Sequence, residues 1–178
     1  MSMIYRPTDE CRAQMREETA YHEAGHAVAT YVLGQPFEYV TIVPDAAGGS
    51  FGHVEGIGAA YLDETTLKRQ REVARIEAVT LVAGPLADAR WVEAEPAFWR
   101  SSDVSYEYEC AEANLRDVYT SERRVQEVMG EAVTHAQQIV AEQWPAIEAL
   151  AAALMARETL DYRDAVRIIR AAQSEEEE

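Results

Sequence analysis

Basic residues are scarce in this chain. Sixteen Lys and Arg stand against 32 Asp and Glu, a formal net charge of −16. No basic patch interrupts that balance, so nothing in the sequence is built to seek nucleic acid or an acidic lipid surface. Cysteine is scarcer still. Cys11 and Cys110 do not make a disulfide framework, fit a reducing cytoplasm, and each reads as a small apolar residue. No apolar run reaches the length of a membrane-spanning helix. The opening MSMIYRPTDE has no apolar signal-peptide region. There is no GxxxxGK[ST] loop for a nucleotide phosphate. These absences lead to the expectation of a cytoplasmic chain with neither a nucleic-acid nor a membrane partner.

What is present suffices for a core. Hydrophobic residues make up 48% of 178 positions, which excludes general disorder and fits one domain. Asp9 and Glu10 suit the positive end of a helix running to about Leu33, closed by Gly34 and Pro36. Phe37 to Val43, rich in β-branched and aromatic residues, reads as a strand. Ser50 to Gly58 reads as a second strand, weakened by glycine, so that the two form a hairpin or small sheet. Beyond Leu62 the pattern is helical. A helix capped by Asp63 runs to Trp91, with a kink or break expected at Gly84–Pro85. After a loop over Glu95 to Arg100, Ser101 or Ser102 caps a helix starting at Asp103. Further helices are expected over Ser121 to Trp144, over Pro145 to Arg157 with proline at its first position, and from an Asp161–Asp164 capping pair to about Ala172. The final SEEEE is a solvated tail. The expected class is α+β, predominantly helical, as one domain over 1–178. The first helix and small sheet occupy about 8–60, the helical body about 63–172 and the acidic tail 174–178.

The chemistry sits in the first helix. The chain has four histidines, and two of them fall in His22-Glu23-Ala24-Gly25-His26, an HExxH motif. Residues four apart lie on one face of a helix, so both imidazoles can converge on one Zn²⁺. Glu23, beside the first ligand, can reach a metal-activated water and act as general base. Gly25 lowers helix stability by about 1 kcal/mol relative to alanine, which points to a close approach by another backbone or a substrate. A catalytic zinc needs a third protein ligand. His53, in the glycine-rich strand, and His135, in a late helix, read more readily as ordinary histidines. A carboxylate is the better candidate, and spacing alone does not choose among 32.

The sequence resembles the peptidase domain of the FtsH-type AAA zinc metalloproteases. Tyr21 to Val28 is similar to that family's metal helix, Val40-Thr41-Ile42-Val43-Pro44 to its following strand, and Leu81 to Asp88 to its Gly-Gly-Arg-Ala-Ala-Glu-Glu segment. Ser102-Asp103-Val104 resembles its Asn-Asp-Leu segment, and Glu158-Thr159-Leu160-Asp161 its closing motif. The resemblance spans about Glu18 to Ile169. It implies a zinc-dependent metalloendopeptidase with His22 and His26 as ligands, Glu23 as base and Asp103 as third ligand. Asp88 falls where the family has a glutamate, and would orient a ligand histidine. Strand addition of substrate would use the Ser50 to Glu55 segment. Pro85 replaces the family's arginine, and neither an ATPase module nor a membrane anchor is found. The implied molecule is therefore a free-standing, ATP-independent peptidase domain acting on peptides or unstructured proteins, or on substrates delivered by a partner. The family's rings make a homo-oligomer an expectation to test. Two alternatives stay open. One is a non-catalytic zinc-binding or regulatory module on the same fold. The other is a repressor-cleaving HExxH peptidase, in which Glu112 of Glu112-Ala113-Asn114 is the third ligand.

Overall fold

The computed structural model describes residues 8–44, 52–55, 66–93 and 105–175. Among these are six helices and a small three-stranded sheet: α1 (Asp9–Val32), β1 (Tyr39–Thr41), β2 (His53–Glu55), α2 (Leu67–Trp91), α3 (Ser105–Val118), α4 (Glu122–Glu142), α5 (Trp144–Arg157), β3 (Thr159–Asp161) and α6 (Tyr162–Glu175). The architecture is α+β with helix dominant, as the sequence pattern implies. No single described helix is long and apolar enough to cross a membrane.

α1 ends where Gly34 takes a positive φ of 69°. The Gly34 N–H then reaches the Tyr31 carbonyl and the Gln35 N–H the Thr30 carbonyl, each at 3.0 Å, a Schellman closure that satisfies the last carbonyls. α1 lies at the centre, packed against α2 and α5. Its inner face is unusually small: Ala20, Ala24, Ala27, Val28 and Ala29 are all fully buried. Gly25 completes that face. A Cβ there would stand 2.8 Å from both the Ala83 carbonyl oxygen and Ala87 Cβ, so glycine is what allows α1 and α2 to cross so closely.

α2 starts after Thr66, whose side chain accepts from the Arg69 N–H; the Asp63 cap expected from sequence lies outside the described residues. The break expected at Gly84–Pro85 does not occur, and α2 continues through Pro85 to Trp91. Proline removes one N–H and costs about 3 kcal/mol in a helix interior. Here Val82, Ala83, Leu86 and Ala87 on either side are all buried in the core, and their burial holds the helix together across the proline. Ser121 precedes α4 and Pro145 sits in the first turn of α5, both as expected. The two helices are bent by 75° at Gln143.

The sheet has the order β2-β1-β3, with both pairings antiparallel. Val40 lies opposite Val54 on one side and Leu160 on the other. The β1–β2 pair was legible in the sequence; β3 was not. Glu158, with φ 62°, turns the chain out of α5 so that its carbonyl accepts from the Ile42 N–H at 2.9 Å. Thr159 then hydrogen-bonds Thr41 through their hydroxyls at 2.7 Å. Asp161 closes the strand and caps α6, its Oδ1 accepting from the Asp164 N–H at 2.8 Å. The closing Glu158–Asp161 segment thus places the central strand beside α1.

Candidate metal centre

The HExxH segment lies in the most buried stretch of α1. Glu23 is 5% exposed and His26 8%, so neither is a solvated surface residue. Each histidine has one ring nitrogen fixed by a distant residue of α2. His22 Nδ1 lies 2.6 Å from Asp88 Oδ2, and His26 Nδ1 lies 2.8 Å from the Thr80 carbonyl. A carbonyl oxygen only accepts, and the ionised carboxylate does the same, so both Nδ1 atoms carry hydrogen and both Nε2 lone pairs are left for a ligand.

Those Nε2 atoms converge. They stand 3.0 Å apart, and each lies 3.1 Å from Glu107 Oε1. Three donors at 2.0–2.1 Å from a tetrahedral zinc would be separated by about 3.3 Å. The observed triangle is therefore close to the face a small dication needs. Among the described residues, His22, His26 and Glu107 form the group able to hold a metal ion. Two imidazoles and one carboxylate suit a divalent transition metal, and leave a further coordination position for solvent or substrate.

The back of the site is shaped by a glycine. A Cβ on Gly84 would fall 2.4 Å from His26 Nε2, so only glycine lets the imidazole lie against α2. Gly52, leading into β2, does the same for Glu23. A Cβ there would meet Glu23 Oε1, Thr19 Cγ2 and the Thr41 carbonyl oxygen, each at 2.8 Å.

Electrostatics follow from this crowding. Burial pushes His22 down, but Asp88 and Glu107 outweigh it and hold its pKa well above the ordinary value. Burial opposes protonation of His26 in the same way, and Glu107 again reverses it. Burial pushes Glu107 up, yet the two histidines bring its carboxyl well below the usual range. Glu23 moves the other way: its burial raises it, against the partial offset of His26 and His22. Two neighbouring carboxylates are thus driven apart, one toward a permanent anion and the other toward a group that accepts a proton readily.

No protein-family model matches the chain, and no curated protein does.

His22, His26 and Glu23 stand together as their spacing requires, and Asp88 supports His22. Asp103 lies outside the described residues. The carboxylate brought to the histidines is Glu107, four residues further along the chain, in α3. Glu112 is engaged elsewhere, by Arg116 at 2.9 Å and Gln126 at 2.7 Å. His53 hydrogen-bonds Tyr39 through Nε2 and Oη at 3.2 Å and lines the cavity beside Glu23 without joining the ligand group. Glu107 did carry a signal. It precedes the buried Ala111 and Leu115 by four and eight residues, so a carboxylate stands on the inward stripe of α3 where an apolar residue is the rule.

Proposed function

We propose that this chain is a zinc-dependent metalloendopeptidase, with His22, His26 and Glu107 as protein ligands and Glu23 as general base. The observation that carries the reading is the convergence of two Nε2 atoms and Glu107 Oε1 within 3.1 Å, with buried Glu23 lining an adjoining cavity. A structural zinc has no need of the glutamate between two ligand histidines. The resemblance of the HExxH helix and the segments after it to FtsH-type peptidases supports the same conclusion.

His22, His26 and Glu107 would hold a zinc ion, which would supply Lewis acidity toward the scissile carbonyl and a lowered pKa for water. The chain's own groups do the rest. Asp88 and the Thr80 carbonyl hold the two imidazoles in the tautomer that presents Nε2. Glu23 takes a proton from the attacking water as the C–O bond forms. It then returns that proton to the leaving amine nitrogen as the C–N bond breaks, so it ends the cycle as it began. Nothing in these steps requires a nucleotide. The substrates of this reading are peptides and unstructured protein segments, with folded proteins needing a delivery partner.

Hydrolysis of an unfolded, reduced protein by zinc-loaded wild type, set beside Glu23→Gln, tests the proposal. Cleavage by the first and not the second is expected. A metal-loaded wild type that cleaves nothing would favour the non-catalytic module instead.

A further inference from the structure

A carbonyl oxygen that gains charge during hydrolysis is stabilised by a hydrogen-bond donor aimed at it. The cavity of about 370 Å³ that is lined by Glu23, His26 and Glu107 has three other described side chains with an N–H or O–H: Thr80, Asn114 and His53. Thr80 Oγ1 is closed to solvent and has no partner, so a ligand in the cavity does not reach it. Asn114 Nδ2 already donates to Glu77 Oε2 at 3.2 Å. His53 is the donor that is left.

The sheet places His53 firmly. It follows Gly52, where a Cβ would stand 2.8 Å from Glu23 Oε1, so β2 begins against Glu23. In the β1–β2 register His53 lies opposite Thr41 and Tyr39 opposite Glu55, which makes Tyr39 and His53 diagonal neighbours on one face. Their contact engages only one ring nitrogen. His53 Nε2 lies 3.2 Å from the Tyr39 hydroxyl and 3.7 Å from Glu55 Oε2. Nδ1 makes no hydrogen bond with a described residue, and the side chain is 32% exposed, so Nδ1 is the nitrogen open to a ligand. With the Tyr39 hydroxyl donating to Nε2, the ring hydrogen stands on Nδ1; in the imidazolium it stands there as well.

We propose that His53 is a further catalytic residue, donating from Nδ1 to the carbonyl oxygen of the cleaved bond as negative charge develops there, with Tyr39 as its positioning residue. This rests on the peptidase reading. The step moves no additional proton. As water adds to the carbonyl carbon, the π pair of the C=O bond goes to oxygen and Glu23 takes the water's proton. The His53 N–H bond stays intact. The pair returns when the C–N bond breaks and the proton on Glu23 passes to nitrogen. A donor that holds an oxyanion more strongly than a carbonyl acts on kcat rather than on KM.

The test compares zinc-loaded wild type, His53→Phe, His53→Asn and Tyr39→Phe on one fluorescent unfolded protein, with zinc content measured on each. His53→Phe keeps a ring without a donor; His53→Asn keeps an N–H near the place of Nδ1, and carries the test should the first variant fail to fold. In His53→Phe kcat is expected to fall about 10²- to 10³-fold, the scale for one lost oxyanion donor, with KM and zinc content little changed. His53→Asn recovers part of the loss, and Tyr39→Phe falls between wild type and His53→Phe. Binding gives a readout without turnover. A phosphinic peptide, with a tetrahedral anionic phosphorus in place of the cleaved carbonyl, loses affinity in His53→Phe, while the matching peptide binds as before when Glu23→Gln prevents cleavage. Glu23-dependent hydrolysis with kcat unchanged in both His53 variants, unchanged phosphinic affinity, or loss of zinc from them overturns the assignment and leaves the peptidase reading standing. A zinc-loaded wild type that cleaves nothing refutes that reading, and the assignment with it.

Discussion

His22 and Asp88, separated by 66 positions in the chain, meet at 2.6 Å through Nδ1 and Oδ2. The contact ties the helix that carries both histidines to the far end of α2, and decides which ring nitrogen is left to face a metal. Asp88→Asn keeps the shape while removing the charge that makes His22 a better donor. Zinc affinity, read by competition with a chromogenic chelator, should fall about 10- to 100-fold. Unchanged affinity would mean that packing alone orients the ring.

Glu23→Gln separates metal binding from chemistry. The side chain does not belong to the ligand triangle, so zinc content should match wild type. Hydrolysis of an unfolded protein should fall by about 10²- to 10⁴-fold, the range for loss of a positioned general base. Mass spectrometry for the metal and a fluorescent protein substrate for the rate give the two readouts on one preparation.

The two glycines at the α1–α2 crossing make opposite predictions. Gly84→Ala puts a methyl group into the His26 ring, so zinc is lost, while the substitution itself favours helix. Gly25→Ala instead drives a methyl into the Ala83 carbonyl and Ala87, so the helices must separate. Stability should fall by about 1–3 kcal/mol, as for overpacking in a core. Denaturant unfolding of the two variants, beside their zinc content, distinguishes a displaced ligand from a displaced helix.

The local features were the legible ones. The HExxH pair, the Gly34 closure of α1, the Ser121 and Pro145 starts and the Asp161 cap each depend on residues within a few positions of one another. The β3 strand was hidden because three residues with only Leu160 buried resemble any inter-helix turn, and its pairing partner Thr41 lies 118 positions away. The continuity of α2 through Pro85 was hidden because a proline is visible in sequence, whereas the packing that outweighs it is not. Glu107 was passed over for the same reason. Its role depends on how α3 packs against α2, a relation made by long-range packing, and the sequence resemblance pointed to Asp103, four residues earlier in the chain.

The central claim is that His22, His26 and Glu107 hold one zinc. Metal content per chain of wild type, Glu107→Ala and Asp103→Ala, purified side by side, tests it most directly. The account predicts about one zinc in wild type and in Asp103→Ala, and a large loss in Glu107→Ala. Full zinc in Glu107→Ala, or none in wild type after reconstitution, would contradict it.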